Sequence, residues 1–200
     1  MPSDIVLPKG NEEEFIDRAI KLNFSKLYFL YEFDSGIKEK VEEVEKLKRK
    51  IDVKCMVLAR KKDVEKARRY GKVILKAGGD NRVLLSKKRV IIYGLELSKR
   101  DDFIYYRNSG LDQILCRLAN KNNNIVCFSF NEILKREGYE RARLIGRIMQ
   151  NIKLCRKYKV KIIIGSFAND VYEMRNYKDL LSFFQLIGMT GKEAKEAFDY

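Results

Sequence analysis

Short apolar runs rich in β-branched and aromatic residues recur at 4–8, 26–32, 53–59, 72–77, 89–94, 124–130 and 161–166, with charged, helix-patterned segments between them. Consecutive apolar positions within a run need cover on both faces. In a chain that alternates such runs with helices, this predicts a parallel sheet with helices packed outside it. Between the runs the period changes to that of a helix. Val41, Val44, Leu47 and Ile51 recur at spacings of 3, 3 and 4 in the charged segment 38–51, which predicts a helix with one buried stripe. A longer helix is predicted over 138–158, with Ala142, Ile145, Ile148, Met149, Ile152 and Cys155 on its packed face. Arg136, Arg143, Arg147 and Lys157 then fall near the opposite face as an outer basic ridge, with few acids after Glu140.

Seven strand–helix steps fit either a closed barrel or an open doubly wound sheet. No GxGxxG or GxxxxGK[ST] follows any run, so neither nucleotide-binding form of the open sheet is indicated. The expected fold is a single TIM-like (β/α) barrel of about seven parallel strands with surrounding helices. Segment 98–110 is read as an irregular insertion where an eighth strand would lie. The two prolines, Pro2 and Pro8, both sit at the start, and no Gly/Ser-rich stretch divides the chain, so one domain over 1–200 is expected.

Charge narrows the partners. Lysine and arginine number 42 against 28 acidic residues, a net charge of +14, and there is no histidine. Such a balance points to a polyanion, while the lack of imidazole removes the usual proton shuttle near neutral pH and the usual nitrogen ligand for metals. The basic residues are spread along the chain rather than gathered on one terminal helix, which argues against a membrane surface. The start MPSDIVLPKG lacks a basic and then apolar leader, so a cytoplasmic protein is expected. Cys55, Cys116, Cys127 and Cys155 lack CxxC spacing and read as reduced packing residues.

Candidate chemistry is sparse. Gly78-Gly79-Asp80-Asn81-Arg82 follows a predicted strand, either as a backbone cradle for phosphate with Arg82 one turn in, or as a tight turn capped by Asp80 or Asn81. Asp4, Glu32, Glu96, Asp112 and Asp170 lie at or beyond predicted strand ends, where carboxylates hold Mg²⁺ in phosphodiester cleavage, but no motif surrounds any of them. Tyr105, Tyr106 and Arg107 lie together, either stacking on an unpaired base or serving as buried, capping tyrosines. Phe103, Ile104, Tyr105 and Tyr106 cannot all point inward from one short segment, which marks 98–110 as a contact face for a second protein.

Three segments, SGLDQILCRLANKNNNIVCFSF (109–130), YERARLIGRIMQNIKLCRKYKVKIIIGSFA (139–168) and YEMRNYKDLLSFFQLIGMTGKEAKEAF (172–198), resemble the barrel-type protein subunit of archaeal and eukaryotic ribonuclease P. The order carries the likeness: Gly-Leu-Asp opening a helix, a strand ending Phe-Ser, a Tyr-Glu-Arg-Ala helix, Ser-x-Ala, an Arg, then Asp-Leu and Ile-Gly-Met. The resemblance implies a barrel related to histidine-rich metal phosphoesterases but without their metal cluster. It implies no catalytic residue and no cofactor held by the protein, with Mg²⁺ serving the RNA subunit that removes the 5′ leader of precursor tRNA. The implied partners are ribonuclease P RNA, precursor tRNA and a smaller ferredoxin-like subunit, two copies of each protein. RNA contact is then expected of Arg82, Arg107, Arg143, Arg147, Lys159, Arg175 and Lys178, the last two among loops beyond the final strand. Asp112, Gln113, Ser166 and Ala168 are further family-matched positions, with Gln113 standing where the family commonly has histidine, so no cationic imidazole is available there. Two alternatives stay open: a self-sufficient carboxylate and Mg²⁺ barrel phosphoesterase or nuclease, and a protein-interacting scaffold whose charge aids solubility.

Overall fold

The structure, a computed structural model, describes residues 1–47 and 51–200. The expected strands form with shifts of one or two residues at their ends: β1 Ser3–Val6, β2 Lys26–Glu32, β3 Asp52–Leu58, β4 Lys72–Lys76, β5 Ile91–Tyr93, β6 Ile125–Ser129 and β7 Lys161–Gly165. All pair in parallel in sequence order. β1 and β7 then meet at a Val6–Ala168 bridge. Phe167 N–H donates to Ile5 O (2.7 Å) and Leu7 N–H to Ala168 O (2.8 Å). Where β1 and β7 diverge, residues 197–198 fill the gap, taking bonds from Ile164 N–H (2.9 Å) and Ser3 N–H (2.8 Å). The result is a nearly closed seven-stranded barrel. Segment 98–110 forms no strand and takes no part in closing it.

Helices α1 Glu12–Lys21, α2 Ile37–Lys46, α3 Val64–Ala67, α4 Asn81–Leu85, α5 Gln113–Lys121, α6 Phe130–Leu134, α7 Gly138–Tyr158, α8 Tyr177–Leu186 and α9 Gly191–Glu196 surround it. The helix expected over 38–51 is α2, with Val44 buried. Leu47 and Ile51 also pack against the core although they lie beyond it, and 48–50 fall outside the described residues. Strand alternation divides the core into two layers. Ile5, Tyr28, Met56, Ile74, Cys127 and Ile163 point into the barrel, while Val6, Phe29, Val57, Val73, Val126 and Ile164 face the helices. An aromatic pair plugs each end. Tyr93 stacks on Phe167 at 5.1 Å at the strands' C-terminal mouth, and Tyr28 on Tyr200 at 5.4 Å at the N-terminal floor.

α7 has the expected bounds, but its buried face is rotated from the expected one. Leu144, Arg147, Ile148, Asn151, Ile152 and Cys155 are buried, whereas Ala142 and Met149 are exposed. Arg147 is therefore not part of an outer basic ridge; it is 2% exposed. A polar side chain turns inward only where partners await it. Segment 98–110 supplies them.

Candidate nucleic-acid interface

With neither helix nor strand, the backbone of 98–110 must find hydrogen-bond partners elsewhere, and it finds them on α7. The Arg147 guanidinium donates to Ser98 O (2.6 Å), Glu96 O (3.2 Å) and Arg100 O, while its Nε reaches Asp102 Oδ1 (2.8 Å). One turn on, Gln150 Oε1 accepts from Arg107 N–H (3.1 Å), and its Nε2 donates to Arg107 O (2.8 Å) and Ser109 Oγ (2.8 Å). Asn151 Nδ2 donates to Ser109 O at 2.9 Å. Asp102 ties the segment to itself through Asn108 N–H (2.8 Å). Burial pushes its carboxyl up, but the bonds from Arg147 and Asn108 prevail and hold it below the usual carboxylate range. Gly110 completes the fixing: at φ +77°, a Cβ there would lie 2.1 Å from Leu95 O, so only glycine fits.

This anchoring aims Arg107. Its guanidinium lies against Gly146 of α7, where an added Cβ would meet Arg107 Cζ at 2.5 Å, and Asp102 stands 3.7 Å away. Arg107 faces Arg82 and Arg100 across a cleft of about 810 Å³, walled by the loop before α4, the start of α5 and the α7 side chains Gln150 and Leu154. Arg82 and Arg100 are exposed and have no ion-pair partner among the described residues. The start of α4 is already capped, since Asp80 accepts from Arg82 N–H (3.0 Å) and Val83 N–H (3.4 Å). The tip of the segment stands clear of the body. Phe103 stacks on Tyr106 at 4.8 Å, and Ile104 and Tyr105 are 93% and 95% exposed. The reading of Tyr105 and Tyr106 as buried capping residues is thus overturned.

The remaining expected positions are dispersed. Arg143 is half-buried between Glu140 (2.8 Å) and Asp101 (3.4 Å). Lys159, in the left-handed conformation that ends α7 (φ 55°), shares a depression with Arg156 and Lys161 on the floor side. Arg175 and Lys178 do not join the mouth. Tyr177 between them donates its N–H to Leu22 O (3.2 Å) at the end of α1 and packs on Phe24 and Phe198, so the chain has left the mouth by that point. Arg175 itself bonds Tyr172 O (2.7 Å). Ser166 and Ala168 form the barrel seam: Ser166 N–H donates to Asp4 Oδ1 (2.6 Å) and its hydroxyl to Ile5 O (3.2 Å). Asp112 caps α5 through Leu115 N–H (2.8 Å), and Gln113 accepts from the Tyr158 hydroxyl (3.4 Å).

The candidate carboxylates are likewise separated by their jobs. Asp170 caps the turn 171–173 through Tyr172 N–H (2.8 Å). Asp4 accepts from Ile5 and Ser166 N–H, and its burial raises the carboxyl to about 6. Glu96 is 1% exposed with neither oxygen hydrogen-bonded, and burial raises it to about 7. Among the described residues no group of three or more His, Cys, Asp or Glu is placed to hold a metal ion. The cysteines are free, Cys55 half-buried and Cys116, Cys127 and Cys155 buried. No helix among the described residues is long and apolar enough to cross a membrane. Sequence reasoning missed Arg100, Gly146, Gln150 and Asn151. The available signal was the pair Arg147 and Asn151, polar residues four apart inside the apolar stripe of α7.

Fold and cleft define a class: a seven-stranded (β/α) barrel with a cationic flank. The family model described as RNase P subunit p30 matches residues 102–200, just under half of the chain. Ribonuclease P protein component 3 of Methanococcus maripaludis is 34% identical over 130 residues, covering 63% of this chain and 53% of that protein. The namesake from Methanocaldococcus jannaschii is 28% identical over 185 residues, covering 88% and 78%. The chain thus spans about half the length of the first curated relatives it matches. A chain in the cryo-EM structure of archaeal ribonuclease P with mature tRNA superposes with a TM-score of 0.83 at 25% identity, covering 98% of this chain and 87% of that one.

Proposed function

We propose that this chain is an RNA-binding subunit of ribonuclease P, assisting the catalytic RNA that removes the 5′ leader from precursor tRNA. The carrying observation is the flank cleft, where Arg82, Arg100 and Arg107 converge beside exposed aromatic rings. Arginine forks match phosphate oxygens, and exposed rings stack on unpaired bases. The protein's part is to neutralise phosphate and hold RNA; Mg²⁺ chemistry belongs to the RNA. The dispersal of Asp4, Glu96, Asp112 and Asp170 into capping and buried positions supports this over a self-sufficient nuclease.

A direct test is leader removal from precursor tRNA with Mg²⁺, by the protein alone and with the RNA subunit added. Activity is expected only with the RNA; RNA-free cleavage abolished by changing one of the five candidate carboxylates would overturn the proposal. In binding assays Arg82→Ala and Arg107→Ala are each expected to flatten the slope of log affinity against log salt by about one unit. Apart from the Phe103–Tyr106 stack, the exposed Ile104 and Tyr105 at the tip suit a smaller, ferredoxin-like protein subunit in a complex of two copies of each. Light scattering of the mixed proteins should show that mass, lost on Ile104→Ser with Tyr105→Ser.

A further inference from the structure

The barrel floor carries a second cationic surface, built in an unusual way. Lys26, Lys54, Lys72 and Lys161 sit two residues before Tyr28, Met56, Ile74 and Ile163, all of which point into the barrel. By strand alternation the lysines share that inward register, one each from β2, β3, β4 and β7, and so ring the floor opening. The plug beneath them is aromatic. Lys72 Nζ lies 5.0 Å from the Tyr28 ring centroid, 5.9 Å from that of Tyr200 and 3.3 Å from the Tyr28 hydroxyl. Asp52 answers Lys26 (3.8 Å) and Lys54 (3.4 Å), and Asp199 feels the charge of Lys26 and Lys161. Asp52 and Asp199 are thus shared among several ammonium groups. Partial burial, then repulsion from Lys26, Lys161 and Lys54, holds the Lys72 ammonium below the usual lysine range.

We infer that this lysine ring is a second RNA-docking surface, gripping phosphodiester backbone without reading bases. The inference rests on the RNA-binding reading above and adds a separate place of contact, since the cleft of Arg82 and Arg107 lies on the flank against α4, α5 and α7. Lysines are point charges without the planar fork that reads geometry, so a ring of them attracts phosphate with little regard to sequence. Two separated contacts let one barrel hold two RNA segments at once, which raises avidity without new chemistry.

The test uses the full chain, a tRNA-sized structured transcript and a salt series. Lys54→Gln with Lys161→Gln is expected to flatten the log–log salt slope by about two units with little change in melting temperature, because both side chains are exposed and the ion pair lost, Lys54 with Asp52 at 3.4 Å, lies at the surface. Bound transcript is also expected to shield Lys54 and Lys161 from acylation, read by mass spectrometry. A slope unchanged by the lysine pair but flattened by Arg82→Ala with Arg107→Ala overturns the floor site and leaves the RNA reading standing. No binding of any structured RNA overturns that reading itself. Shielding by a polyglutamate peptide but not by the transcript overturns the floor site in favour of an acidic protein face.

Discussion

The two ends of the barrel are closed alike, each by a stacked aromatic pair, but differ in the charges that surround the pair. At the mouth Tyr93 and Phe167 stack, and burial followed by the nearby Glu132, Cys127, Glu32 and Glu96 raises the Tyr93 hydroxyl to about 12. At the floor, Tyr28 and Tyr200 stack within a ring of lysines. In barrel enzymes chemistry gathers at the mouth and the floor serves stability. Here Glu96 is buried without hydrogen bonds and Glu132 is bonded to Arg136 at 2.6 Å, with Glu32 exposed beside them, while at the floor Lys26 and Lys54 share the single carboxylate of Asp52. Function is therefore read from the sign and freedom of the charges at each surface, not from the end of the barrel that other barrels use.

The strongest way to break this contrast is at the anchor on the mouth side. Arg147→Ala orphans three carbonyls and leaves Asp102 with only Asn108 N–H and the more distant Arg107, and is expected to cost about 3–5 kcal/mol in denaturant unfolding, with faster proteolysis within 98–110. Lys54→Ala on the floor, by contrast, is expected to stay within about 0.5 kcal/mol. Equal losses at both sites would erase the distinction between buried, hydrogen-bonded charge and exposed charge.

The buried acid sets a pH dependence of known sign. Glu96 stays neutral in the fold up to about 7 but ionises in the unfolded chain near its ordinary 4.5. Stability therefore falls as pH rises through that window and levels off above it, by on the order of 3 kcal/mol. Glu96→Gln is expected to flatten melting temperature against pH over the same range. Asp4, raised from 3.8 to about 6, leaves a smaller slope of the same sign. A variant as pH-sensitive as the parent would place the Glu96 carboxylate in water.

The smallest effect separates two glycines. Gly146→Ala is expected to change stability by no more than about 1 kcal/mol, since helix propensity gains what displacing the Arg107 guanidinium costs, yet to weaken RNA binding. Gly110→Ala is expected to destabilise by more than about 1 kcal/mol, because its φ is positive and the obstructing atom is backbone. Unchanged affinity in Gly146→Ala would detach Arg107 from the cleft's function.

Much of this molecule is local in origin. The seven strands, the bounds of α7 and the basic excess follow from apolar period and composition, because a residue's period and charge are properties of the chain itself. The loop and cap roles of Asp80 and Asp112 were within reach for the same reason, since a cap bonds amides two or three residues away. The site was legible only in part. Arg147 reads as surface in the sequence because charge favours water, and only the carbonyls of a loop some fifty residues earlier make its burial tolerable. Arg175 and Lys178 follow the last strand in sequence, but the descent of the chain to Tyr177 at Leu22 takes them from the mouth. The convergence of Arg82 with Arg107, and of four lysines from separate strands, is likewise a product of barrel closure. Sequence determined which residues alternate and what charge they bear; tertiary structure decided which charges meet, because closure and long-range hydrogen bonds set distances that no local pattern encodes.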